Sequence, residues 1–144
     1  MSSTDPRSEY AGAEACKACH VVEYGEWAAS RHSRMVQPIK PSEVRARFTP
    51  GESLSYRGRM FTFERLGARY FIVEQSPGLP PVRHAIEYTL GNRRIQHFMT
   101  RQPNGSLVLL PPSWDVLRSE WFPQEDIVPT GDSGVEPVQI WNKN

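Results

Sequence analysis

Cys16, Cys19 and His20, in the run CKACH, are the residues of this chain whose types and spacing could do chemistry together. Two residues between the thiols let one turn of chain present both sulfurs to the two vinyl groups of a porphyrin, and an imidazole in the next position lies where it can meet the iron. A disulfide or a thiol redox pair uses the same Cys-x-x-Cys spacing, but usually at the start of a helix beside a parallel-sheet pattern, and no such pattern is visible. Zinc fails for want of a ligand. Cys16, Cys19 and His32 open a finger-like C-x2-C-x12-H series, yet the positions for a fourth ligand, residues 36 to 38, hold Val, Gln and Pro. The pattern points to covalent haem c, anchored by Cys16 and Cys19 with His20 as the proximal iron ligand.

What fills the second axial position separates electron transfer from ligand chemistry. His32 is twelve residues past His20, and on one continuous helix that is about 18 Å of rise, so His32 would suit a different iron. A helix break near Gly25 would bring it back, and Met35 is a softer, potential-raising alternative. Tyr24 and Trp27 are expected to pack against the macrocycle.

Those side chains need elements to hold them. The run VVEYGEWAASRHSRM places Val21, Tyr24, Trp27 and Ala28 at helical spacing, so a short helix is expected from near the cysteines, ended by Pro38 and Pro41. From about residue 53 to 111, Gly67-Ala68, Gly91-Asn92 and Asn104-Gly105 each sit between strand-favouring runs, which predicts an antiparallel meander. A two-residue loop at Gly91-Asn92 would set Tyr88 opposite Ile95, Ile86 opposite His97 and His84 opposite Met99, all on one largely apolar face. On that register His97 is a candidate haem contact and His84 a weaker one. The segment PPSWDVLRSEWF offers Trp114, Trp121 and Phe122 for packing, with a helical turn after Asp115.

The fold class expected is α+β, mainly β: residues 1–9 a disordered end or artificial extension, 10–44 a haem-binding segment with a short helix, 45–122 an antiparallel β domain, and 123–144 an irregular tail. At 144 residues the chain can bury one real core. Seventeen Lys plus Arg against sixteen Asp plus Glu name no nucleic-acid partner. No apolar run approaches the roughly twenty residues that span a bilayer. Asp126, Asp132, Ser133 and Glu136 lack the pairing that acid and base work requires, and no glycine-rich phosphate loop occurs.

The stretch YAGAEACKACHVVEYGEWAASRHSRM resembles the opening of multihaem c-type cytochromes, matching at Tyr10, Gly12, Cys16, Cys19, His20, Trp27, Ser30 and His32. The stretches YTLGNRRIQHFMT, NGSLVLLPPSWDV and EWF resemble the β-rich segment that follows the first haem motif in some of them. The resemblance implies single-electron transfer with redox proteins or neighbouring haem domains as partners. It also implies an extracytoplasmic location with the export signal removed, His32 as distal ligand to another haem, and a continuation into a further haem motif past WNKN. Two other readings stay open: a haem enzyme or ligand binder with an open distal side, and a haem-free β-rich interaction module.

Overall fold

Phe61 and Phe63 are buried while Thr62 and Glu64, which alternate with them, are only half-buried, and this period-two alternation builds most of the molecule. The computed structural model describes residues 11–124. Residues 1–10, with Tyr10, and the tail from residue 125, with Asp126, Asp132, Ser133 and Glu136, lie outside the described residues. The chain divides into two compact units between Arg34 and Met35.

The second unit is an antiparallel sheet of eight strands: β1 (Val36–Pro38), β2 (Ser53–Tyr56), β3 (Arg59–Leu66), β4 (Arg69–Gln75), β5 (Val82–Leu90), β6 (Ile95–Arg101), β7 (Leu107–Asp115) and β8 (Glu120–Pro123). Strands β2 to β8 follow one another as a meander, and β1 pairs with β5. The mainly β, antiparallel expectation is thus met. Strand β5 is the fork: Val82 to Ala85 pair with β4, while Tyr88 to Leu90 pair with β1 on the same edge. Strand β1 falls within the span expected to be haem-binding, and β8 carries the sheet beyond residue 111.

Aromatic rings fill the concave side. Phe48, Phe61, Phe63, Tyr70, Phe98 and Trp114 belong to one buried cluster with Ile72, Ile86 and Leu110. Trp121 of β8 stacks on Phe63 of β3 with centroids 3.8 Å apart and planes within 4°, so the two ends of the meander meet across the interior. Phe48, from the connection between β1 and β2, meets Phe63, Tyr70, Phe98 and Trp121 edge-on. Gln96 is fully buried, and its amide accepts from the Arg45 N–H and donates to the Glu43 carbonyl, both at 2.8 Å, tying that connection to β6.

The hairpins test the turn reading one by one. Gly67-Ala68 forms the expected two-residue loop, since Leu66 pairs with Arg69. Asn104-Gly105 also turns the chain, but Gln102 N–H donates to the Ser106 carbonyl and the loop holds Pro103 with them, three residues where two were expected. Arg57-Gly58 makes a further two-residue turn, with φ of 47° and 73° at its two positions. After Asp115 the carboxylate accepts from the Leu117 and Arg118 N–H groups, making a single turn that leads into β8.

The Gly91-Asn92 register is corrected. Leu90 pairs with His97, Thr89 with Phe98 and Tyr88 with Met99, a shift of the hairpin to a longer loop. The cause is that Gly91 N–H donates to the Met35 carbonyl at 2.7 Å and so serves the β1 side. Gly91 has φ 75°, and a Cβ there would stand 2.7 Å from the Ile95 carbonyl oxygen, so glycine is required. Between Ile86 and Tyr88 the ladder bulges, and the extra residue reverses the strand's parity. His84, paired with core residue Ile72, therefore faces the concave side, whereas His97, flanked by buried Gln96 and Phe98, faces the other. The two histidines do not share a face. A second bulge lies opposite Phe98 in β7, where Pro111 and Pro112 have no N–H to give the ladder.

Candidate functional site

The first unit is built around the thiol pair. From Gly12 the chain enters a 3-10 turn, Ala13–Cys16, continues through a hydrogen-bonded turn, and after His20 becomes helix α1 (Val21–Ala29). His20 N–H donates to the Cys16 carbonyl at 2.9 Å and Tyr24 N–H to the His20 carbonyl at 2.8 Å. Cys16 and His20 are thus one helical turn apart. His20 stands at the N-cap, but its side chain makes no capping hydrogen bond, which leaves the imidazole for other work.

His20, Tyr24 and Trp27 follow the i, i+4, i+7 spacing of one helix face. With Ala13, Cys16 and Glu23 they line an open groove of about 340 Å³. The Tyr24 and Trp27 rings lie 5.7 Å apart, tilted by 47°. Both cysteines are free and exposed; Cys19 does not line the groove. A second hollow of about 350 Å³, where β1 and β4 part beside β5, is lined by Arg69, Tyr70, Glu87 and Tyr88 among others and presents no thiol or imidazole.

Helix α1 stops earlier than expected. Ser30 turns extended at φ −73°, ψ 164°. Its hydroxyl donates to the Trp27 carbonyl at 2.6 Å, and the Ser33 hydroxyl reaches the Ala28 carbonyl at 3.0 Å. These serines satisfy the terminal carbonyls that would otherwise continue the helix, so Pro38 and Pro41 are not what ends it, and Gly25 does not break it. His32 begins a separate 3-10 turn, His32–Arg34, with the nine-residue helix, about 13 Å of rise, between it and His20. No group of three or more His, Cys, Asp or Glu forms a metal-ligand cluster among the described residues, and His32 does not gather with Cys16 and Cys19 as a zinc site would need.

Composition could not reveal how little this unit packs against itself. None of residues 11–34 is buried, Val21 and Val22 are 66% and 69% exposed, and Trp27 is 44% exposed. An isolated helix below about 12 residues is marginal in water. Nine residues with no buried side chain need an apolar surface from elsewhere.

Sequence reasoning missed Glu14. Its carboxylate accepts a 2.7 Å hydrogen bond from the Tyr24 hydroxyl, and that bond, with the nearby negative charge, raises the phenol above its ordinary value of 10.0. Lys17 Nζ lies 5.4 Å from the centre of the same ring. Helical spacing could not pair Glu14 with Tyr24, because the turns around the cysteines intervene.

The other expected residues lie in the sheet unit. His97 Nδ1 is 2.7 Å from Ser113 Oγ, and Ser113 is fully buried. His84 Nε2 is 3.1 Å from Glu74, whose other oxygen holds Arg59 at 3.0 Å. Met35 is 44% exposed and is engaged through its backbone carbonyl.

Burial lowers the pKa of His97 below its ordinary 6.5. The unfolded chain therefore takes up this proton before the folded one, and the contribution of His97 to stability is intact above pH 6.5 and falls as pH drops through its folded value. In His97→Gln that part of the acid sensitivity is expected to disappear from denaturation midpoints measured between pH 7 and 5; an unchanged pH slope would contradict it.

Compared with family models, with curated proteins and with solved structures, the chain gives no match.

Proposed function

We propose that the first unit is a c-type haem attachment site and that the chain is an electron-transfer domain working outside the cytoplasm. Cys16 and Cys19 would anchor the group, His20 would ligate its iron, and Tyr24 and Trp27 would pack against the ring. One observation carries the reading: a thiol pair and an uncapped imidazole are wound onto one turn beside an aromatic-walled groove, in a unit whose described residues bury no side chain. The residues fit the group. A flat apolar ring of porphyrin size supplies the surface that Val21, Trp27 and the nine-residue helix lack, and both sulfurs are accessible for linkage.

When bound, such a group supplies a one-electron couple whose potential depends on its axial ligands and surroundings. The chain's own residues hold it, orient it and limit its contact with water. His32, beyond the far end of α1, would suit an iron other than the one bound by His20, and neighbouring haem domains and redox proteins are the partners proposed. His97, its Nδ1 2.7 Å from Ser113 Oγ, is put forward as a contact to a haem. Independently of this proposal, no helix among the described residues is long and apolar enough to cross a membrane.

The test is spectroscopic. Protein matured with haem-attachment machinery is expected to show a low-spin ferric spectrum with two nitrogen ligands and reversible one-electron reduction. A high-spin ferric iron that readily takes up cyanide, with turnover of peroxide, would replace electron transfer with ligand chemistry at an open distal side.

A further inference from the structure

The geometry points to Glu14 and Tyr24 as positioning residues for haem attachment, a strap that closes over the Cys16–His20 turn and sets the first sulfur against the imidazole before any group is bound. The inference rests on the proposed function. Glu14 precedes the first thiol by two residues and Tyr24 follows His20 by four. Their 2.7 Å hydrogen bond joins the 3-10 turn to α1 and brackets the pentad from both sides.

Inside that bracket the backbone is already wound. Lys17 N–H donates to the Glu14 carbonyl at 3.2 Å, His20 N–H to Cys16 at 2.9 Å and Tyr24 N–H to His20 at 2.8 Å. No buried side chain holds these turns in place, since none of the described residues up to Arg34 is buried. A side-chain tie spanning ten residues keeps them together, and Lys17 over the Tyr24 ring adds a second contact to the same side chain.

The chemistry rewards such a tie. Each thioether forms when a cysteine S–H adds across a vinyl C=C; sulfur bonds to the carbon next to the ring, hydrogen goes to the terminal carbon, and no electrons are gained or lost. Both additions succeed only when the two sulfurs and the imidazole keep their spacing, because the two vinyls and the iron are fixed in one plane. A loosened turn leaves Cys16 out of reach and one vinyl unreacted.

Tyr24→Phe keeps the ring and removes the hydroxyl, Glu14→Ala removes the acceptor, and Glu14→Gln keeps an acceptor without the charge. In full-length protein made without haem, amide exchange at His20 and Tyr24 is expected to speed up about fivefold in Tyr24→Phe and Glu14→Ala, the factor that follows from losing one hydrogen bond of ordinary net strength. Glu14→Gln should restore most of the protection, and the double variant Glu14→Ala with Tyr24→Phe should be no faster than either single one. In matured protein the same two single variants are expected to carry a fraction of singly linked haem, seen as a shift of the reduced α band to longer wavelength and as a haem released by treatment that spares two thioethers. Unchanged exchange, or haem linked twice in every molecule of Tyr24→Phe, would overturn the strap alone. Failure of the unaltered chain to take up haem would instead overturn the attachment reading on which it rests.

Discussion

Cys19→Ser is expected to lower the yield of stably attached haem at least roughly tenfold, and replacing Cys16 as well should abolish it. A serine hydroxyl does not add to a vinyl group under conditions where a thiol does, so each substitution removes one of two covalent links and leaves the other strained and slow to form. The result can be read cleanly because the sheet has its own aromatic core. The near-UV circular dichroism of Trp114 and Trp121 should persist in both variants while the haem absorbance is lost. Equal haem yield from Cys19→Ser would show that the second sulfur is not an anchor.

Phe98→Ala should destabilise the sheet unit by about 3–5 kcal/mol, the usual cost of emptying a buried phenylalanine site. Phe98 is fully buried, and its ring lies 5.4 Å from Phe48 and 5.5 Å from Trp121. Urea unfolding followed by tryptophan fluorescence measures the loss. A change below about 1 kcal/mol would mean that the aromatic cluster is not the element that holds the meander closed.

Much of the meander was legible because strands announce themselves by alternation and by turn residues. Phe61-Thr62-Phe63-Glu64 and the Gly67-Ala68 turn carry that signal within a dozen residues, with no help from distant parts of the chain. What stayed hidden depends on partners far away in sequence. Gly91-Asn92 looks like a two-residue turn until Met35 claims the Gly91 N–H, and the bulge at Glu87 that separates the faces of His84 and His97 leaves no mark in the local pattern. Strand β1, three residues long, is too short to show a period at all.

The site divides in the same way. Cys16, Cys19 and His20 were visible because the proposed attachment chemistry depends on covalent spacing, which sequence preserves. Tyr24 and Trp27 followed from helical spacing, and the structure brings both to the groove beside Cys16 and His20. The stop of α1 at Ala29 turned on two serine hydroxyls rather than on the prolines further along, since a helix ends where its last carbonyls find other donors. Glu14 could be found only once the 3-10 turn had folded it back over Tyr24.

Intact mass spectrometry of the chain, exported together with haem-attachment machinery and denatured before injection, tests the central assignment most directly. A mass increase of one haem that survives denaturation, mapped to the peptide holding Cys16 and Cys19, is the expected result. An unmodified mass, with the two thiols free or joined to each other, would contradict it.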